Sequence, residues 1–183
     1  VDGSFNRITV DGDQSTNDTA LLLANGQAGG PMLRPGRPGW DAFRRALAHV
    51  TRELALAVVR DGEGATKFVT VATRGAATLA DARAVSFAVA NSLLVKTAWF
   101  GADPNWGRIM AAIGYSGAAV RPESVAIRFN GRPAVRRGRP AGATHAELRA
   151  EYLKSEIRID IALGMGRASF EAYTCDCSDA YVR

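Results

Sequence analysis

The sequence predicts an α/β (α+β) domain with helices layered on a mixed or antiparallel sheet. Runs with period-2 alternation and β-branched residues take turns with apolar stripes of helical period. Asn130-Gly131 places tight-turn chemistry beside a β-like stretch. The 183 residues, 47% hydrophobic and 22% charged, suffice for one packed core and are too few for two comfortable ones. The chain is therefore read as a single unit over residues 1–183.

Taken in order, Arg7-Ile8-Thr9-Val10 reads as the end of a strand, followed by a polar loop from Asp11 to Asp18. Thr19 to Ala24 is an apolar run too short for periodicity to choose between strand and helix. Gly and Pro crowd Asn25 to Gly39, which predicts a surface loop. Residues 40 to 60 predict the first helix: Trp40, Phe43, Leu47, Val50, Leu54 and Val58 recur at spacings of three and four and share one face. Asp41 near its start and Arg60 near its end suit the helix dipole, and Gly62 is a plausible stop. Phe68 to Thr73 predicts a strand.

Thr78 followed by Asp81 predicts a capping box, opening a helix that runs to about Leu94. Its stripe of Leu79, Ala82, Val85, Val89 and Leu93 is widened by Phe87, Ala90 and Leu94, which predicts packing on two sides. Asp103-Pro104 predicts the start of a third helix, with Asp as N-cap, carrying Ile109, Met110, Ala112 and Ile113. Val125 to Phe129 leads into the Asn130-Gly131 hairpin turn, and Ala146 to Lys154 is a candidate short helix. Ile157 to Ile161 and Ala168 to Thr174 both alternate and, joined across Gly164-Met165-Gly166, predict another hairpin.

Composition excludes several classes. No apolar run approaches the roughly 18 residues of a membrane span, and the opening residues lack the pattern of a signal peptide. No membrane partner is expected. Cys175 and Cys177 are the only cysteines, which excludes a disulfide scaffold and makes a reducing cytoplasm the expected compartment. Arginine is the default cation behind the net charge of +5, since only Lys67, Lys96 and Lys154 of the 23 Lys and Arg residues are lysine. Arg128, Arg132, Arg136, Arg137 and Arg139 cluster beside a single aromatic, Phe129, without the interleaved stacking platforms of nucleic-acid binders. A solvated hairpin is expected there, and no nucleic-acid partner.

Familiar motifs fail when tested. Gly164-Met165-Gly166-Arg167-Ala168-Ser169 lacks the last small residue of a dinucleotide fingerprint and sits between strands. Asp11, Asp13 and Ser15 begin like a calcium loop, but Thr16 and Leu22 occupy its Gly and Glu positions. The two cysteines have no second pair of ligands, so no metal is expected and they read as small buried hydrophobes. No Gly-x-Ser-x-Gly elbow is present.

Three polar stretches remain. Ser15, Thr16 and Asn17, within Asp11 to Asp18, are either a solvated turn or neutral hydrogen-bonding groups for a small polar molecule. Glu63 lies between two glycines just beyond a helix end whose partial negative charge disfavours it. It serves a cationic ligand, pairs with Lys67, or is an exposed turn glutamate. Lys96 to Arg108 crowds two tryptophans among mixed charges; its plainer reading makes them core anchors and Arg108 the partner of Asp103.

Ser4 to Asp13, Ser15 to Thr19, Leu21 to Gly26, Asp61 to Lys67, Leu94 to Ala98, Asp103 to Arg108 with Ala111 to Gly114, and Thr174-Cys175-Asp176 resemble, in this order, the ornithine acetyltransferase family of arginine biosynthesis. The resemblance covers nearly the whole chain and implies the fold shared with self-processing aminopeptidases. It implies an acyltransferase whose precursor cleaves itself before a threonine. That threonine takes the acetyl group from N-acetylornithine and passes it to glutamate, and some members also use acetyl-CoA as donor. An α chain of the same precursor would be the partner, in a heterotetramer, and would supply an oxyanion hole.

The family's substrate-binding glutamate falls on Glu63, while Asp11, Thr16, Asn17, Lys96 and Asn105 lie in its signature blocks as pocket or supporting residues. No Ala-Thr-Met-Leu type junction occurs in the 183 residues, so no catalytic residue is assigned. The nucleophilic threonine is expected upstream of Val1, and the α chain and the C-terminal tail are likewise expected outside the 183 residues. The chain is thus expected to be most of a β chain, inactive alone. A related self-processing aminopeptidase and a non-catalytic binding module are the alternatives.

Overall fold

The computed structural model describes residues 1–181. Its elements are α1 (Trp40–Arg60), β1 (Phe68–Ala76), α2 (Leu79–Ala90), α3 (Leu93–Phe100), α4 (Trp106–Gly114), β2 (Ala126–Phe129), β3 (Arg132–Arg136), β4 (Arg139–Pro140), α5 (His145–Tyr152), β5 (Glu156–Ala162) and β6 (Ala168–Cys175). The six strands form one mixed sheet in the order β4-β3-β2-β5-β1-β6, an α+β fold of the class predicted. Only β1 and β5 run parallel, Phe68 facing Glu156; the other neighbours are antiparallel.

Alternation along the strands separates two apolar layers. Val69 and Val71 of β1, Ile157, Ile159 and Ile161 of β5, and Phe170 and Ala172 of β6 join the buried faces of α2, α4 and α5 in the main core. Phe68, Tyr173 and Cys175 point the other way and meet Leu56 and Val59 of α1. α1 thus covers one edge of the opposite face.

The β5–β6 hairpin expected from sequence does not form, because β1 lies between the two strands. The connection crosses the end of β1 instead: the Gly75 carbonyl accepts the amides of Met165 (2.7 Å) and Gly166 (2.9 Å). The β1–β6 register shifts at this point, and Gly75 sits at φ 69°, where a Cβ is strained. The glycines mark close backbone passage, since a Cβ on Gly166 would lie 2.5 Å from the Ala76 carbonyl oxygen.

Several helix boundaries also move. The helix expected from Thr78 to Leu94 keeps its capping box but ends at Ala90, and α3 begins after Asn91-Ser92. Asn91 spends its side chain on Thr9, whose hydroxyl donates to Oδ1 at 2.7 Å, and Ser92 is extended. Lys96 is therefore helical. α4 is capped by Asn105, not Asp103: its side-chain oxygen accepts the Arg108 amide at 3.2 Å. Arg108 does not pair with Asp103 but donates to the Leu94 carbonyl at 2.7 Å. Trp99 is fully buried and Trp106 partly so. α5 carries a second capping box, Thr144 with Glu147, and runs His145–Tyr152 where Ala146 to Lys154 was expected.

Near the N-terminus, residues 5–7 form a 3-10 turn, and only Ile8 bridges the sheet, at Tyr173. Thr19 to Ala24 is neither strand nor helix, and Leu21, Leu22 and Leu23 are exposed. Residues 25–39 are an exposed loop as predicted. The Asn130-Gly131 hairpin forms, Asn130 and Gly131 having φ of 47° and 85°, and all five clustered arginines are exposed.

Candidate functional site

The elements that cover the end of β6 enclose a cavity of about 230 Å³ lined by Val10, Asp11, Glu63, Asn91, Leu93, Lys96, Cys175, Asp176, Cys177 and Tyr181. That is below the roughly 300 Å³ at which pockets for drug-sized ligands begin, and suits a small ligand. Three acidic residues and one lysine are among those that line it.

Asp176, just past the end of β6, organises the floor. Its carboxylate is buried and accepts the Thr66 amide at 2.8 Å, the Lys67 amide at 3.0 Å and the Thr66 hydroxyl. These bonds fix the loop between α1 and β1. The strand's continuation tightens the same loop, for Ser178 Oγ donates to the Gly64 carbonyl at 2.6 Å. Gly64 has φ 65°, and a Cβ there would stand 2.8 Å from the Tyr181 amide nitrogen and 2.9 Å from Ser178 Oγ. Only glycine admits this approach.

Glu63 rides on that loop. It is exposed on the cavity wall, and among the described residues its side chain has no hydrogen-bond or ion-pair partner. The pairing with Lys67 weighed from sequence is absent: the Lys67 amine donates to the Trp99 and Phe100 carbonyls at the C-terminus of α3, where a cation suits the helix dipole. Burial lowers the Lys67 pKa, and nearby Asp176 partly restores it.

Asp11 also lines the cavity. It accepts the Asp13 amide at 2.8 Å and the Tyr181 hydroxyl at 3.0 Å. The Asp13 amide is the main reason its carboxyl titrates below the ordinary value, against a smaller opposing effect of burial. Asn91 supports the wall through Thr9, whose hydroxyl oxygen in turn accepts the Gly12 amide at 3.1 Å. Lys96 reaches the floor from α3, donating to Thr174 Oγ1 at 3.1 Å and to the Cys175 carbonyl. Desolvation lowers its pKa, countered by Cys175, Cys177 and Asp176. The Cys175 thiol is buried, which raises its pKa; Cys177 is only half-buried and lies beyond the strand.

The cavity therefore gathers Asp11, Glu63 and Lys96. Thr16 and Asn17 lie outside it, exposed, in a loop closed by Ser15, whose hydroxyl donates to Asn17 Oδ1 at 2.9 Å. Asn105 is also elsewhere, as the cap of α4. Val1, upstream of which the nucleophilic threonine is expected, does not line the cavity either. It is exposed, and its carbonyl accepts the amides of Ser4 at 2.9 Å and Asn6 at 3.1 Å. Sequence reasoning gave no role to Asp176, although it stands in the Thr174-Cys175-Asp176 block, nor to Asn91 or Tyr181. A carboxylate in the first residue after a buried alternating strand was the available signal for Asp176. Among the described residues no cluster of three or more His, Cys, Asp or Glu could hold a metal, and no helix is long and apolar enough to cross a membrane.

The comparisons with known proteins agree on one family. A family model described as the ArgJ family matches residues 1–183. The arginine biosynthesis bifunctional protein ArgJ of Geobacter sulfurreducens is 51% identical over 186 residues, covering 100% of this chain and 47% of that protein. The glutamate N-acetyltransferase of Methanocaldococcus jannaschii is 48% identical over 191 residues, covering 100% and 46%. The crystal structure of the Bacillus halodurans arginine biosynthesis bifunctional protein superimposes with a TM-score of 0.93 at 41% identity, covering 98% of this chain and 85% of that one. This chain thus spans a little under half the length of these curated relatives. With the family model matched from end to end and the fold superimposed over nearly all of it, the chain belongs to the ArgJ family.

Proposed function

We propose that this chain forms the amino-acid-binding part of an acetyltransferase that moves the acetyl group of N-acetylornithine to glutamate. The observation that carries the reading is Glu63, an unpartnered carboxylate on the wall of a small cavity with an excess of acidic groups. An ammonium group entering there gains a charge-assisted hydrogen bond without breaking an existing one. Glu63 grips the ornithine side, while the acetyl-accepting threonine, upstream of Val1, and the oxyanion hole come from the rest of the parent protein. Acetyl-CoA is an alternative acetyl donor in this reading, and the chain needs no cofactor of its own.

The partner is the α chain of the same precursor, in a heterotetramer. The outward apolar face of α1 supports this: Phe43, Val50, Leu54 and Val58 are all exposed although they form the helix's main stripe. Two free thiols suit a reducing compartment, and we place the parent in the cytoplasm. The names of the relatives favour acetyl transfer over the aminopeptidase alternative.

The test is a substrate panel on the full-length parent. Transfer of acetyl from N-acetylornithine to glutamate is expected, with none from the 183-residue chain alone. Glu63→Ala should raise KM for N-acetylornithine roughly ten- to hundredfold, the size of a lost hydrogen bond to a charged group, with self-cleavage intact. Peptide hydrolysis without acetyl transfer would overturn the reading.

A further inference from the structure

Lys96 is 4% exposed, yet it takes part in none of the ion pairs among the described residues. Burying an ammonium without a paired carboxylate is costly unless its donors are satisfied. Here three acceptors converge on it: Thr174 Oγ1 at 3.1 Å, the Cys175 carbonyl, and more weakly Cys175 Sγ at 3.8 Å. These match the three donors of an ammonium and leave none for a ligand. A planar guanidinium fork would not fit acceptors gathered around one point. That gives a reason for lysine in a chain whose default cation is arginine.

The backbone of Lys96 engages the same segment, because the Cys177 amide donates to the Lys96 carbonyl at 3.4 Å. α3 thus holds residues 175–177 from both sides of one residue. Within and next to that segment, Asp176 accepts the amides of Thr66 and Lys67, and Ser178 donates to the Gly64 carbonyl, which holds the Glu63 loop. Hydrogen bonds thus tie α3 to the end of β6, and the adjoining Asp176 and Ser178 to the loop that carries Glu63.

We infer that Lys96 is a positioning residue: it clamps the segment after β6 to α3 and thereby sets the loop that presents Glu63 to the cavity. Its consequence for catalysis rests on the ornithine-site reading above; its structural part does not. Lys96 touches no substrate in this account. Loss of the clamp loosens the acid, so it weakens amino-acid binding and leaves the acetyl-transfer step itself nearly unchanged.

The test compares the full-length parent with its Lys96→Met variant, which keeps the stem and removes the donors. Hydrogen exchange at the amides of Thr66, Lys67 and Cys177 should quicken about tenfold, as expected for losing a hydrogen bond to a charged group, while amides of β5 hold their rate. KM for N-acetylornithine should rise by a similar factor, with kcat within about threefold, the signature of lost binding alone. Thr174→Val, which removes one acceptor at nearly constant volume, should give smaller changes in the same direction, and decides the matter should Lys96→Met not fold. Unchanged exchange at these amides in a folded variant overturns the inference. So does a fall in kcat at constant KM, which would put Lys96 in the chemistry. A wild-type parent that transfers no acetyl overturns the functional reading instead, and leaves the exchange result to judge the clamp.

Discussion

α1 and α2 both carry an apolar stripe, and they use it in opposite ways. In α2, Ala82, Val85 and Val89 are fully buried in the main core, and Leu79, at the helix start, is exposed. In α1, with the cleaner stripe, Val50, Leu54 and Val58 are 53%, 55% and 50% exposed. The helix is held instead by Ala55, Leu56 and Val59, centred about 150° round its circumference from the stripe. Amphipathicity thus shows which face of a helix is apolar, and not which face the described residues cover. α1 packs on Tyr173 and Cys175 with its secondary face and leaves its main stripe exposed, the face proposed above for the α chain.

The largest expected effect separates the two helices directly. Val85→Asp puts an unpaired charge in the core and should cost about 3–5 kcal/mol in urea unfolding of this chain. Val58→Asp should stay within about 0.5 kcal/mol. Similar losses would break the comparison. Where α1 meets the α chain as proposed, Val58→Asp should become costly, by about 2 kcal/mol of association, the order of burying a valine; sedimentation of the co-expressed α chain and this chain measures this.

Asp176→Ala tests the segment between the helices. It strands the Thr66 and Lys67 amides, for a loss of about 2 kcal/mol or more in the same unfolding experiment. Thr78→Ala removes the α2 cap and should cost about 1 kcal/mol. α1 starts at Gly39 without a side-chain cap, so its first-turn amides should exchange sooner than those of α2.

The smallest effect is one of pH. Because the Asp13 amide lowers the Asp11 pKa below its ordinary 3.8, the ionised Asp11 adds stability above that value. The contribution is lost as pH falls through the lower, folded-state pKa. Asp11→Asn should flatten the acid limb of the stability curve slightly; an unchanged limb would show that the ionised Asp11 contributes nothing.

Much of this is legible in the sequence because it is local. The Thr78–Asp81 capping box, the Asn130-Gly131 turn and the Trp40–Arg60 helix each depend on residues within a few positions of one another, and all three form. The β5–β6 pairing misleads because a parallel strand from about 90 residues earlier competes for the same edge, which alternation cannot reveal. The break at Asn91 depends on Thr9, equally remote. At the site, the resemblance points to Glu63, Asp11 and Lys96, which share the cavity, but also to Thr16, Asn17 and Asn105, which lie elsewhere. Asp176 stands in the Thr174-Cys175-Asp176 block, but its role is not legible there because it lies in two amides more than 100 residues away.

The most direct measurement is a crystal structure of the full-length parent with ornithine bound. A Glu63 carboxylate oxygen about 3 Å from a ligand nitrogen, inside the cavity shared with Lys96 and Asp11, is the predicted result. Ornithine bound elsewhere, with Glu63 turned to bulk water, would contradict it.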